Sequence, residues 1–243
     1  MHERQLVNLV IDDKIATVTL DRPDRLNALT PELFEAGCTM LETVAQDAGI
    51  VVAVLKGAGR AFCAGADLGV FKAEGFTKRD GERFTELAHR FIGLLETMPQ
   101  ATIAQIHGAC IAGGLEIALG CDFIVASDEA RFADTHAKFG IVPVWGLSQR
   151  LPRRIGSQRA LELLLTAREI DGPEAAGIGL VLKSVPAEEL DATVRALARS
   201  IAGNSPRSIG AYRKLVRHSL NVGLDAGLAY ERSRAWRSSP VKS

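Results

Sequence analysis

Residues 101–126, ATIAQIHGACIAGGLEIALGCDFIVA, form the most apolar stretch of the chain. ATIAQI and CDFIVA, at its two ends, have the continuous apolar pattern of buried strands, and a short helix is predicted to begin near Gly113 between them. The stretch is long enough to cross a bilayer, but glycines interrupt it. A carboxylate such as that of Glu116 also costs about 2.5–3.5 kcal/mol at the centre of a membrane helix. We therefore interpret the stretch as the core of an α/β protein with no membrane partner.

The N-terminal side of this core continues the alternation of strands and helices. Residues 5–11 and 14–20 are rich in Val, Ile, Leu and Thr, which predicts two paired strands joined by a turn at Asp12-Asp13. Thr30 and Pro31 predict the N-cap and the first residue of a helix that extends to about residue 46.

Strand and loop signals precede the central stretch, and helical signals follow it. The run IVVAVLK, residues 50–56, predicts a strand covered on both faces, and the charged stretch 72–83 predicts an exposed loop. After about residue 157 the pattern becomes mostly helical. Helices are predicted at 157–166, 172–178, 187–202, 206–219 and 223–237.

Composition argues against several classes of function. The 29 basic and 29 acidic side chains balance, which argues against nucleic acid as a partner. The four cysteines form no CxxC pair, and no spacing of His and Cys suits zinc, so we expect no metal. Reduced thiols and an N-terminus without a signal-peptide pattern predict a cytoplasmic protein.

Two glycine-bearing loops each follow a buried strand, where backbone groups are held rigidly. They are GAGRAFCAGADL, residues 57–68, and HGACIAGGLEIA, residues 107–118. Neither loop has the GxGxxG or GxxxxGK[ST] pattern of a nucleotide cradle, and the chain has no GxSxG or HExxH motif. Nucleotide binding and serine or zinc hydrolysis are therefore disfavoured.

The Gly113-Gly114 pair has two interpretations. The first NH groups of the helix that follows are unpaired and suit an oxyanion, but such glycines also simply allow tight strand-to-helix packing. Glu116 favours the first interpretation, because a carboxylate in so apolar a segment needs a reason. A capping box would need Ser or Thr at position 113.

These residues resemble the crotonase, or enoyl-CoA hydratase/isomerase, superfamily. The resemblance extends in order over about residues 5–220, and four groups of residues carry it. They are LVIDDKIATVTLDRPDRLNALT, GRAFCAGADL, IHGACIAGGLEIALGCDFIVASDEARFAD, and the pair QRLPRRIG and AAGIGLV.

The resemblance implies an α/β fold, a crotonase-like spiral of ββα units. It assigns residues 1–195 to the crotonase core. Residues 196–243 form a C-terminal helical region that packs on the core and on neighbouring subunits of a homotrimer or a dimer of trimers.

The resemblance also implies an acyl-CoA thioester substrate, with CoA as part of the substrate and no separate cofactor. The thioester oxygen accepts the NH groups of Ala66 and Gly113, an oxyanion hole in which each donor contributes about 2.7–4 kcal/mol. The further residues expected to bind substrate are Arg25 near the CoA phosphates, Ala64, Asp67 and Leu68 near its adenine side, and Trp145.

Two of these expectations carry alternatives. Asp67 is expected to fix its loop by accepting local backbone hydrogen bonds. Trp145, where small residues are common in the family, either narrows the acyl pocket or fills a subunit contact.

The predicted catalytic residues are Glu116 and His136. Glu116 matches the glutamate that activates water in the hydratases, and His136 stands where a second glutamate is usual. His136 either donates the proton to Cα or is a satisfied polar residue of the pocket, in which case Glu116 transfers both protons. Asp134 lies two residues away, where strand alternation can place it on the same face as His136. It is either a nearby acid or a carboxylate that caps the loop, and loop capping is the preferred interpretation.

The leading hypothesis is an enoyl-CoA hydratase-like lyase that adds water across the 2,3 double bond through a thioester enolate. Two alternatives remain open at this point: an enoyl-CoA delta-isomerase, and a non-catalytic acyl-CoA-binding homologue.

Overall fold

The structure, a computed structural model, describes residues 5–234. Two sheets and a set of helices build it. The strands are β1 Val7–Asp12, β2 Ile15–Leu20, β3 Val52–Gly57, β4 Ala101–Ile106, β5 Ala109–Ile111, β6 Phe123–Ser127, β7 Arg131–Ala133, β8 Ile170–Asp171 and β9 Lys183–Val185. The helices are α1 Pro31–Gln46, α2 Leu68–Phe71, α3 Lys78–Thr97, α4 Gly113–Leu119, α5 Leu147–Ile155, α6 Ser157–Thr166, α7 Gly172–Gly177, α8 Ala187–Ala202, α9 Pro206–Ser219 and α10 Leu224–Ser233.

The main sheet has the strand order β1-β2-β3-β4-β6-β9 and is parallel except for the β1–β2 hairpin. Successive side chains of β3 enter different hydrophobic clusters. Ala53 and Leu55 belong to the large core with α1 and α3, whereas Val52 and Val54 pack with α8. Because both faces are covered, β3 is apolar without alternation, as its sequence predicts.

The second sheet has the order β5-β7-β8 and is made of very short strands. β4 is followed by β5 and α4, and β6 is followed by β7 and α5, so each unit contributes one strand to each sheet before its helix. A bridge between Cys63 and Cys110 adds the chain after β3 to this arrangement. The expected α/β spiral of ββα units is therefore confirmed.

The C-terminal helices pack on this core through both apolar and charged contacts. The boundary proposed between residues 195 and 196 lies inside α8, whose buried face covers the main sheet. Arg213 of α9 pairs with Asp122 at 2.5 Å and donates to the carbonyl of Leu95 at 2.8 Å. None of the helices described is both long and apolar enough to cross a membrane.

Local patterns predicted most elements correctly, with two errors in the N-terminal half. The hairpin turn is Asp13-Lys14 rather than Asp12-Asp13, because Asp12 still pairs with Ile15 and Asp13 takes the positive φ of 53°. The charged stretch 72–83 is not all loop, since α3 begins at Lys78. Thr77 and Asp80 form a capping box that starts this helix.

The later part of the chain shows two further differences. Helix α5 was not predicted, because Pro152 interrupts its sequence pattern. The last predicted helix, 223–237, is seen as α10 at Leu224–Ser233, and its final residues lie outside those described.

Candidate active site

The NH group of Ala66 is freed by the way its loop pairs with Leu29. Leu29 donates to the carbonyl of Gly65 at 2.8 Å and accepts from the NH of Asp67 at 2.8 Å. This parallel bridge turns the NH of the intervening Ala66 to the opposite side. Among the described residues, the Ala66 NH has no protein acceptor.

The NH group of Gly113 follows a sharp turn between β5 and α4. Ala112 has φ 47° and ψ −112°, a conformation that costs on the order of 1–3 kcal/mol in a residue with a side chain. The bond from its NH to the carbonyl of Ala133, 2.9 Å, holds the turn. Within residues 5–234 no protein acceptor takes the Gly113 NH, because it begins the helix.

Gly65 lets the two loops approach each other. Its φ of +93° suits glycine, and a Cβ at this position would lie 2.9 Å from the carbonyl oxygen of Ile111 and 3.3 Å from the nitrogen of Gly113. The residue before Ala66 is therefore in contact with the backbone of Gly113. The structure thus places the two predicted donors on adjoining loops.

Glu116 lies one helical turn after Gly113 and is only 1% exposed. Its Oε1 accepts the NH groups of Trp145 at 3.0 Å and Leu147 at 3.1 Å, which hold the carboxylate in place. Burial raises the pKa of Glu116, while the Leu147 NH and the charge of His136 act in the opposite direction. A carboxylate with a raised pKa is suited to exchange protons near neutral pH.

His136 is within electrostatic reach of Glu116 and hydrogen-bonded to Asp134 through Nδ1. Burial alone would lower the pKa of His136. The hydrogen bond and charge of Asp134, together with the charge of Glu116, raise it above the ordinary histidine value. The two predicted catalytic residues therefore act on each other's charge, and the carboxylate of Asp134 contacts the imidazole.

Trp145 packs against other aromatic side chains of its own chain. Its ring is in edge contact with Phe34 and Phe84, at centroid distances of 5.4 and 5.2 Å, and it is 6% exposed. A Cβ on Gly113 would come within 2.5 Å of the ring. The indole therefore forms a wall directly beside one predicted donor.

The residues expected to bind CoA near the Ala66 loop are at least partly exposed. Arg25 is exposed on a 3-10 turn at Pro23–Arg25, Ala64 is half-buried, and Leu68 is 51% exposed. Asp67 accepts the NH of Gly69 at 2.9 Å and caps α2, which is the loop-fixing contact expected from the sequence.

The structure adds one residue to the predicted site, Arg22, and gives Asp134 a closer contact with the site than its sequence position indicates. Arg22 donates to Asp67 at 3.0 Å and to the carbonyl of Ala28, so it joins the RPDRL segment to the Ala66 loop. Although burial opposes it, the Gly69 NH and the Arg22 guanidinium hold the pKa of Asp67 below its usual value. Asp134, for which loop capping is the preferred expectation and a nearby acid the alternative, contacts the imidazole of His136.

Within residues 5–234, no cluster of three or more His, Cys, Asp or Glu side chains could hold a metal ion.

The geometry agrees with the comparison to known proteins. The family model "Enoyl-CoA hydratase/isomerase" matches residues 11–237. The chain belongs to this family. A short-chain-enoyl-CoA hydratase of Clostridium acetobutylicum is 33% identical over 230 residues, which cover 93% of this chain and 87% of that protein.

Solved structures of enoyl-CoA hydratases share the fold. That of Bacillus anthracis has a TM-score of 0.91 and 32% identity, and the match covers 94% of this chain and 89% of that one. A putative enoyl-CoA hydratase from Thermobifida fusca, in complex with acetoacetyl-CoA, has a TM-score of 0.86 and 29% identity over 94% of this chain and 92% of the other.

Proposed function

We propose that this member of the enoyl-CoA hydratase/isomerase family is a lyase that adds water across the 2,3 double bond of an enoyl-CoA. The observation that carries the proposal is the buried carboxylate of Glu116, one turn along α4 from the free NH of Gly113. A base and an anion-stabilising donor on one short helix suit addition to an α,β-unsaturated thioester.

The oxyanion hole is the first part of the mechanism. When water adds at C3, negative charge moves to the thioester oxygen, and the NH groups of Ala66 and Gly113 stabilise the enolate more than they stabilise the substrate. Each such donor is worth about 2.7–4 kcal/mol in transition-state stabilisation. Two observations support this part: neither NH group has a protein acceptor within residues 5–234, and the two loops that carry them are in contact.

Proton transfer is the second part. Glu116, deprotonated, accepts a proton from the attacking water, and His136, protonated, donates a proton to C2 of the enolate. The charge of each group favours the ionised form of the other, as their opposite effects on pKa indicate. The reaction is redox-neutral, and the hydrogen and hydroxyl that are added to the double bond come from water. It therefore requires no cofactor beyond the CoA of the substrate.

CoA lies along the open side of the Ala66 loop in this proposal. Arg25 meets the phosphates, while Ala64, Asp67 and Leu68 border the adenine side and Trp145 borders the acyl group. Support comes from the exposure of Arg25 and Leu68 and from the relative with a similar fold that was solved with acetoacetyl-CoA.

A panel of acyl-CoA thioesters analysed by mass spectrometry tests the reaction. We expect 2-enoyl-CoA to gain the mass of one water and to incorporate ¹⁸O from labelled water. The panel includes a saturated acyl-CoA as the unreactive control. Binding of the whole panel without any turnover would instead identify a non-catalytic acyl-CoA-binding homologue.

Enoyl-CoA delta-isomerisation is the second candidate. It is motivated by the imidazole of His136, which stands where the resemblance to the family implies a second glutamate. A single carboxylate, that of Glu116, can shuttle one proton between two carbons. Conversion of 3-enoyl-CoA to 2-enoyl-CoA without water incorporation would identify the isomerase.

The proposed assembly is a homotrimer or a dimer of trimers. Support comes from exposed apolar side chains on α9, on α10 and on the segment between them, and from a cavity of about 1530 Å³ that borders α5 and α9. These side chains are Tyr212, Val216, Leu220, Leu224 and Leu228. Light scattering coupled to size exclusion measures the mass, and a monomer would contradict the proposal.

A cytoplasmic location is proposed on the basis of the cysteines. All four are free and buried, which is typical of proteins in a reducing compartment. Fractionation of the producing cells, with a cytoplasmic marker enzyme as control, would test it.

A further inference from the structure

We propose that Asp134 is a positioning residue for His136. Its carboxylate accepts a hydrogen bond from the protonated Nδ1 of the imidazole. This leaves Nε2 as the nitrogen that exchanges a proton with the substrate. The assignment of a role in turnover rests on the proposed hydration. The arrangement of the two side chains is a property of the free protein and can be tested without substrate.

The contact between Asp134 and His136 has two parts. Oδ1 of Asp134 accepts a hydrogen bond from Nδ1 of the imidazole, and the same oxygen accepts a second one from the backbone NH of His136 at 3.3 Å. The second bond sets the distance between the carboxylate and the His136 backbone. The first then selects the ring orientation, because a carboxylate of this kind accepts and does not donate.

The position of Asp134 is tied to the predicted oxyanion hole. Asp134 directly follows β7, and the last residue of that strand, Ala133, accepts the NH of Ala112 at 2.9 Å. Ala112 is the residue whose sharp turn leads into Gly113 at the start of α4. The carboxylate that orients the imidazole and the turn that orients the donor are therefore fixed by neighbouring backbone atoms.

Burial makes the contact specific. Asp134 is 3% exposed and the side chain of His136 is 14% exposed, so water competes little for either group. A buried carboxylate needs a charged or hydrogen-bonding partner, and the imidazolium of His136 supplies both. Loop capping alone would use the backbone NH but would leave Nδ1 to another acceptor.

The charged groups around the imidazole are few. Asp134 precedes it on the same segment, and Glu116 acts on it from α4. Lys138 lies on the 3-10 turn His136–Phe139, and Arg159 lies on α6, the helix that packs against this turn; both are exposed. Glu162 of α6 is exposed and paired with Arg168. The two buried carboxylates therefore dominate the environment of His136.

The first experiment is a ¹⁵N NMR titration of the histidine side chains in the free protein, with His136→Gln to identify the His136 signals. We expect neutral His136 to carry its proton on Nδ1, opposite to the usual preference of free histidine. In Asp134→Asn we expect this preference to be lost and the titration midpoint to fall by about one pH unit or more, since an opposite charge in contact shifts a pKa by roughly 1–3 units.

Asp128→Asn is the matched control. Asp128 lies just before β7, as Asp134 lies just after it, and it bonds to Ser184 rather than to a histidine. We expect the His136 signals to be unchanged in this variant. A wild-type protein with the proton on Nε2, or an Asp134→Asn variant that folds and titrates like the wild type, would overturn the positioning role. The wild-type tautomer decides the question even if Asp134→Asn fails to fold.

The second experiment is the pH dependence of kcat/KM on 2-enoyl-CoA. In the wild type the alkaline decrease reports loss of the His136 proton, and in Asp134→Asn we expect it to move to lower pH by the shift seen in the NMR titration, with KM changed less than kcat. If the NMR result holds but the wild type does not hydrate enoyl-CoA, the proposed function fails and the positioning role stands. If hydration occurs but the alkaline limb stays in place, the catalytic consequence of Asp134 is refuted.

Discussion

Replacement of Glu116 by Gln separates the chemical role of this residue from its structural one. Glutamine has nearly the same volume, and its amide oxygen can take the place of Oε1, which accepts the NH groups of Trp145 and Leu147. What the variant loses is the negative charge and the ability to accept a proton. We therefore expect the fold and the binding of thioester to be kept while turnover falls.

The expected magnitude follows from the two roles. General acid–base catalysis contributes about 10²–10⁴-fold, so we expect kcat to fall by this factor, equivalent to about 2.7–5.4 kcal/mol at 1.36 kcal/mol for each factor of ten. Unfolding free energy should change by only about 1 kcal/mol, because both buried NH groups keep an acceptor. Glu116→Ala, in contrast, leaves two buried NH groups unpaired at about 1–3 kcal/mol each.

The assay follows the loss of the conjugated enoyl-thioester absorbance under saturating 2-enoyl-CoA, alongside urea denaturation of all three proteins. Binding of a saturated acyl-CoA controls for substrate affinity. If Glu116→Gln turned over within about threefold of the wild type, Glu116 would not be the base. If it lost its fold as completely as Glu116→Ala, the carboxylate would be a structural element, and its assignment as the base would fail.

Further predictions concern pH, the Ala66 loop and the acyl wall. Because burial raises the pKa of Glu116, we expect kcat/KM to decrease as pH falls through a midpoint above the ordinary glutamate range, as measured by initial rates. The folded protein holds this proton more tightly than the unfolded chain, so protonation of Glu116 stabilises the fold at low pH. This part of the unfolding free energy should be lost as pH rises through the pKa of Glu116 in the folded protein. Urea denaturation should show the loss in the wild type and not in Glu116→Gln. Gly65→Ala places a Cβ 2.9 Å from the Ile111 carbonyl, and a misplaced donor should lower kcat/KM about 10²-fold. Gly75→Ala, with a similar φ of +80° and open space around it, should leave the rate unchanged. Trp145→Ala should cost about 3–5 kcal/mol of stability and shift preference toward longer enoyl-CoAs in competition assays. Phe91 contacts Phe34 in the same aromatic cluster but is not the side chain that lies against Gly113. Phe91→Ala should therefore destabilise the protein without changing the preference for acyl-chain length.

Local sequence signals determined the elements of this fold. β4 at Ala101–Ile106, α8 at Ala187–Ala202 and α9 at Pro206–Ser219 have the bounds that their patterns predict. Thr30 caps α1 as expected, because its hydroxyl accepts the NH of Leu33 three residues away. Such signals depend on residues within one or two turns of each other, so the sequence contains them fully.

The loops that carry the site were also recognisable from sequence. The glycine-rich segments follow buried strands, and Glu116 is an isolated carboxylate in an apolar segment. Both features can be recognised from adjacent residues alone. The resemblance to a family added the pairing of Ala66 with Gly113, which spacing alone does not provide.

Contacts between distant segments were decided by the tertiary structure. The short strands of the second sheet have three residues or fewer, too few to show a period, and they exist because their neighbours hold them. Glu116 is held by NH groups 29 and 31 residues away, and the ring of Trp145 is placed against Gly113 by the same segment. The orientation of the His136 imidazole, and with it the role of Asp134, depends on side-chain rotamers that packing selects. The sequence by itself therefore determined which groups were available for the chemistry, and the folded chain decided which of their atoms face one another.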